Sequence, residues 1–138
     1  MFLKALRNLF SQRGSASVLL RASILYKKAA DEAEDNYRKT GHRYFVIYDP
    51  AQRKLITLTY DLYRYRPDSY VYLSRRGRFP HALTRNEFKE KCFYYTPSRN
   101  FPERRCRGEE YREKLLRWQR YYSLCLHGRG WEKVHSDE

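Results

Sequence analysis

Cys106, Cys125, His127 and His135 lie in the C-terminal third of the chain, and thiolate and imidazole are the ligands zinc takes in tetrahedral sites. Their spacing argues against a metal site. No Cys-x-x-Cys pair occurs, Cys125 falls on the apolar stripe of a predicted helix, and the two histidines flank Gly128-Arg129-Gly130. Cys92 and His81 are the right types for a thiol nucleophile and its base. Cys92, however, stands at the start of an apolar strand, where a packing role is expected, and no carboxylate is placed to orient the imidazole. Asp31, Glu32, Glu34 and Asp35 gather carboxylates as a metal or acid–base site does. Within a helix Asp31 and Glu32 point apart, and Lys27 and Lys28 lie one turn earlier, which predicts a solvated, ion-paired face. Arg75-Arg76-Gly77-Arg78 lacks the Gly-Lys-Ser ending of a phosphate-binding loop. No metal, cofactor or catalytic residue is expected, and the chain reads as a binding protein and not an enzyme. Cation-assisted phosphodiester chemistry is the one catalytic class with any pull.

The residues favour recognition of a polyanion. The 138 residues hold 29 Lys and Arg, 20 of them Arg, against 16 Asp and Glu, for a net charge of +13; 14 are Tyr. Guanidinium groups fork onto phosphates and stack on flat rings, and tyrosine offers a flat ring with a polar tip. The excess is +4 over residues 1–40, +5 over 41–80 and +4 over 81–138, so it is not a basic tail on a neutral domain. Three elements concentrate it: the loop of Arg75, Arg76 and Arg78, the loop of Arg99, Arg104, Arg105 and Arg107, and a helix face of Arg112, Arg117 and Arg120. Sixteen acids cannot neutralise 29 bases, so a positive field persists and attracts nucleic acid or an acidic protein surface. Tyr70, Tyr72, Tyr94 and Tyr95 stack unpaired bases if they face out of a sheet, and are core if they face in; core is the favoured expectation.

The elements that must position these residues follow from periodicity. Phe2, Leu3, Leu6, Leu9 and Phe10 recur at helical spacing, which predicts a short basic amphipathic helix over residues 2–12 within an N-terminal segment 1–14. It docks on its own domain, in a partner's groove or on an anionic membrane surface. Val18, Ala22, Leu25, Ala29, Ala33 and Tyr37 predict a long helix from about Ser15 to Thr40, closed at Gly41 with Arg38 and Lys39 in its last turn. His42–Tyr48 and Lys54–Tyr60 read as a β-hairpin with a turn of about four residues after Asp49. Helices are expected on one face of the sheet and tyrosines on the other. Thr59 or Asp61 opens a short turn of helix, residues 70–74 read as a third strand, Thr84 and Glu87 have capping-box spacing, and residues 92–96 read as a fourth strand. A last helix runs from about Gly108 to His127. Tyr111, Leu115, Trp118, Tyr122 and Cys125 form its apolar stripe; Arg112, Lys114, Arg117 and Arg120 lie off it.

The expected fold is α+β, a small antiparallel sheet of about four strands packed on the long N-terminal helix and the C-terminal helix, as a single domain over 15–127 with a polar tail 128–138. Lys4 and Arg7 interrupt the N-terminal apolar residues, and no transmembrane segment is expected. Three cysteines are an odd number without a paired framework, which points to a reducing compartment.

Thr40-Gly-His-Arg-Tyr-Phe-Val-Ile, then Lys54-Leu-Ile-Thr-Leu-Thr-Tyr-Asp-Leu-Tyr-Arg and Cys92-Phe-Tyr-Tyr-Thr-Pro, resemble small uncharacterised proteins of Bacteroidetes genomes and their phages. Those often carry a Gly-x-Arg-Tyr-Tyr-Val strand, a Leu-Ile-Val strand and a short helix containing Phe-Arg. Here Pro50 comes earlier in the turn, and Tyr63 stands where the family usually has Phe. The resemblance spans residues 30–97 and implies a phage or mobile-element setting, with no activity or catalytic residue attached. The expectation is a basic protein of a host cytoplasm or a virion that holds nucleic acid through phosphate contacts. The alternative is a structural or assembly subunit, in a homo-oligomer or larger assembly, whose basic faces meet acidic neighbours and whose residues Phe2, Leu3, Leu6, Leu9 and Phe10 hook another chain.

Overall fold

The computed structural model describes residues 15–65 and 82–126. Along the chain come α1 (Ser15–Thr40), β1 (Tyr44–Asp49), β2 (Lys54–Thr59), α2 (Tyr60–Tyr65), α3 (Arg85–Lys91), β3 (Tyr94–Tyr95) and α4 (Gly108–Leu126). The strands make one antiparallel sheet in the order β2-β1-β3, so the fold is α+β, with three strands among the described residues where four were expected. The predicted strand 70–74, the loop of Arg75, Arg76 and Arg78, the helix of Phe2, Leu3, Leu6, Leu9 and Phe10, and the tail from 128 lie outside the described residues, as do His81, His127 and His135. The last strand is shorter than the expected 92–96: Tyr94 and Tyr95 form it, and the amides of Phe93 and Thr96 on either side donate to the Val46 and Tyr44 carbonyls of β1 at 2.8 and 2.9 Å.

β1 is central and buried nearly throughout, which explains an apolar run without alternation. Tyr44, Val46 and Tyr48 face α1 and α4, with Tyr94 beside Val46; the Tyr48 ring lies 6.0 Å from Trp118 and Tyr94 6.2 Å from Tyr26. Phe45 points to the other side and meets Phe88 of α3 at 4.8 Å, and Phe88 stacks on Tyr63 of α2 at 4.3 Å. Helices therefore cover both faces, correcting the expectation of one covered face and an opposite tyrosine face. Tyr26, Tyr48, Tyr60, Tyr63, Tyr94, Tyr95 and Tyr121 are core. Three of their hydroxyls meet the backbone across the interior: Tyr26 donates to the Phe93 carbonyl at 2.5 Å, Tyr60 donates to the Leu83 carbonyl at 2.5 Å, and the Leu83 amide donates to Tyr63 at 2.8 Å.

The hairpin has the four-residue turn predicted, between Asp49 and its partner Lys54. The Asp49 carboxylate holds it, accepting from the Ala51 amide at 2.9 Å and the Gln52 side chain at 2.8 Å. Thr59 caps α2 through the Leu62 amide, and Thr84 and Glu87 form the reciprocal capping box of α3. α1 and α4 run antiparallel. The small residues Ala22, Ala29, Ala30 and Ala33 let α1 come close, and Trp118 donates to the Ala22 carbonyl at 2.9 Å.

α3 has no glycine to close it; Cys92 at its C-cap is extended, and its final carbonyls face α4. Lys114 and Arg117 supply the donors. The Lys114 ammonium bonds the carbonyls of Lys89 at 2.8 Å, Glu90 at 3.0 Å and Cys92 at 2.7 Å, while Arg117 reaches those of Glu90, Lys91 and Cys92. Cations also suit the negative end of a helix dipole. Lys114, placed off the apolar stripe by periodicity, is thus buried, and burial lowers its pKa. Replacing it by methionine keeps the stem and orphans the carbonyls, so Lys114→Met is expected to cost about 2 kcal/mol. Urea unfolding reads this as a lower midpoint at an unchanged slope; an unchanged midpoint would show that the carbonyls need no ammonium.

Candidate nucleic-acid interface

The C-terminal end of α1 and the segment 96–107 meet, and together they carry Arg38, Lys39, His42, Arg43, Arg99, Arg104, Arg105 and Arg107. α1 closes as predicted: Gly41 has φ +77°, and its amide donates to the Tyr37 carbonyl at 2.7 Å. The Arg99 guanidinium lies where a Cβ on residue 41 would stand and donates to the Thr40 carbonyl at 3.3 Å. It thus places a cation on the negative end of α1, which would otherwise repel an anion.

The segment is pinned along its length. Arg43 donates to the carbonyls of Thr96 at 2.8 Å and Arg104 at 3.1 Å, closing the loop across its base. Tyr37 donates to the Ser98 carbonyl at 3.4 Å, and Arg105 pairs with Glu34 of α1 at 3.3 Å. Within it two tight turns follow one another, the Phe101 amide donating to the Ser98 carbonyl at 3.2 Å and the Arg104 amide to that of Phe101 at 3.0 Å. The Arg104 guanidinium lies 4.2 Å from the centre of the Phe101 ring. Burial lowers the pKa of Arg43, whose guanidinium also lies 5.1 Å from the Tyr95 ring.

Of the arginines singled out in the sequence, the structure brings Arg99, Arg104, Arg105 and Arg107 together. Arg112 follows one turn into α4, exposed beside Glu109 and Glu113. Arg120 sits two turns further along α4, about 12 Å away by helical rise, and is not part of the cluster. Arg117, exposed on α4, reaches the last carbonyls of α3 and is likewise apart from the cluster. Among the described residues the side chains of Lys39, Arg107, Arg112 and Arg120 make no ion pair or hydrogen bond. Lys39 and Arg43 are members that the sequence pattern does not reveal: Lys39 reads there as a partner of the helix dipole, and no local signal ties residue 43 to residue 104.

Tyr94 and Tyr95 are buried and offer no ring to a base. Tyr94 donates to Glu34 at 2.6 Å and Tyr95 to Glu110; burial and then the carboxylate raise both pKa values. The acidic cluster of α1 is divided: Glu34 turns to Tyr94 and Arg105, whereas Asp31 and Asp35 make exposed pairs with Lys27 and Arg38. Among the described residues no three His, Cys, Asp or Glu side chains come together to hold a metal, and no helix is long and apolar enough to cross a membrane. No family model, curated protein or solved structure matches the chain.

Burial raises the pKa of the Cys92 thiol, with Lys114 and Arg117 opposing, and pushes Cys106 up to about 12. Both are protonated near neutrality, and alkylation at pH 8 followed by peptide mapping is expected to spare them until the chain is unfolded. Rapid labelling of the native protein would contradict that placement. The linkage has a definite sign. Below the ordinary thiol value of 9.0 the Cys106 proton is bound in both states, and between there and 12 only the folded state keeps it, so stability falls as pH rises through that window. Tyr26, Tyr94 and Tyr95 shift the same way, while Lys114 runs opposite. A thermal midpoint that is flat to about pH 9 and declines above it is the expected profile.

Proposed function

We propose that this chain is a non-enzymatic basic binding protein that holds nucleic acid mainly through its phosphates, on the surface made by the end of α1 and the segment 96–107. One observation carries the reading. Lys39, Arg104 and Arg107 are exposed and without ion pairs among the described residues, on backbone that Arg43, Tyr37 and Arg99 fasten through carbonyls. A guanidinium bonded to a carbonyl keeps its charge, so the fastening arginines add to the field that draws phosphates. Glu103 is the exposed acid within the segment, against four arginines. The phage or mobile-element setting belongs to the same proposal and is supported by the sequence resemblance alone.

Affinity for mixed-sequence DNA or RNA is expected to fall steeply between low and moderate salt, with a log–log slope of about −0.9 per phosphate contact on a duplex. Lys39→Ala, Arg104→Ala and Arg107→Ala combined should weaken binding and flatten that slope by about 2 to 3, with the unfolding midpoint kept. An unaltered slope would remove this surface from the interface.

A second reading, an assembly subunit, is favoured by Leu20 and Ile24, which sit one turn apart on the outer face of α1, 64% and 58% exposed. It predicts self-association or partner binding that is insensitive to salt and is lost when residues 1–13 are deleted, measured by analytical ultracentrifugation.

A further inference from the structure

Resting on the phosphate-binding reading above, we propose that Phe101 is a stacking platform for an unpaired base, so that the ligand of this surface is single-stranded nucleic acid. Phe101 is 45% exposed where two consecutive turns meet, its amide closing one on Ser98 and its carbonyl closing the next with Arg104, and Arg99, Arg104 and Arg105 flank it in sequence. Leaving that much of an apolar ring in water costs burial free energy that a turn residue with a polar side chain would not lose. The Arg104 guanidinium covers part of the ring without burying it, and it presents a cation to whatever lies beside the ring.

The chemistry of the ring selects the ligand. An aromatic face is electronegative and disfavours the carboxylates of an acidic protein, whereas a nucleobase has a π-face that stacks on it and carries a phosphate that the adjacent arginines can bind. In a duplex the bases are already stacked and paired, so a lone exposed ring has nothing to receive. Alternating basic and aromatic side chains on a groove or loop is the arrangement that holds single strands without reading their sequence. The turn is preorganised by the bonds from Arg43, Tyr37 and Arg99, so ordering the loop costs little on binding. The rings of Tyr94 and Tyr95 are buried, which leaves Phe101 as the exposed aromatic of this surface among the described residues.

The test titrates the full chain, by fluorescence anisotropy, with labelled oligothymidylate, labelled oligouridylate, a mixed-sequence duplex of the same length, and polyglutamate as competitor. Single strands are expected to bind more tightly than the duplex; whichever of the two single strands binds better identifies DNA or RNA as the source, and either supports the proposal. Phe101→Leu should lower single-strand affinity about tenfold, the effect of one lost stack, and leave duplex affinity unchanged. Phe101→Tyr should restore it, with circular dichroism confirming that all variants stay folded. Equal affinity for single strand and duplex, or no effect of Phe101→Leu, overturns the stacking proposal while salt-sensitive binding keeps the phosphate reading. Failure of every nucleic acid to bind, or displacement by polyglutamate at equal charge, overturns both.

Discussion

Cations seated on backbone carbonyls are the constraint on which this structure depends. α1 and α3 each end where a neighbouring segment packs against the last turn, and helix ends leave carbonyls that must find donors. At α1 the donor is Arg99, with Gly41 making room for its guanidinium. At α3 the donors are Lys114 and Arg117, reaching across from α4. Arg43 does the same for the segment 96–107, bridging Thr96 and Arg104. In each case long basic side chains both close a backbone and tie together elements far apart in sequence.

This use of the basic residues differs from ion pairing in its electrostatic outcome. An ion pair cancels its field, whereas a carbonyl has no net charge to offer, so a guanidinium spent on a carbonyl still contributes its full charge to the surroundings. Several carboxylates, meanwhile, are engaged elsewhere: Glu34 and Glu110 accept from the hydroxyls of Tyr94 and Tyr95, and Asp49 holds the hairpin turn. Among the described residues four ion pairs form, one of them the Arg105–Glu34 contact that fixes the basic segment to α1. Arginines held on carbonyls thereby keep their charge on the folded chain, and Tyr94 and Tyr95, weighed for ligand stacking, fill the interior and bond its carboxylates.

Local patterns were legible. The alanine-rich period of α1, its closure at Gly41, the four-residue hairpin turn, and the capping box at Thr84 and Glu87 each depend on residues within a few positions of one another, where dihedral preference and short-range hydrogen bonds dominate. The candidate site was legible in part. The arginines of 99–107 form an evident run, yet Lys39 and Arg43 join them only because Gly41 turns the chain and β1 then lies antiparallel to β3. Lys114, expected off the apolar stripe, is buried because helical periodicity gives the angle of a residue around its axis and says nothing of what stands opposite.

Composition and periodicity determined the charge excess, the α+β class and most element boundaries, since these are sums over residues or interactions within a few positions. Tertiary structure alone decided which cations look inward. A lysine or arginine stem is long enough to satisfy a carbonyl or to reach solvent, and the choice depends on whether a distant helix end, such as that of α3, is packed within its span. The same packing decided that Tyr94 and Tyr95 lie in the core while Phe101, the less polar ring, stays in water.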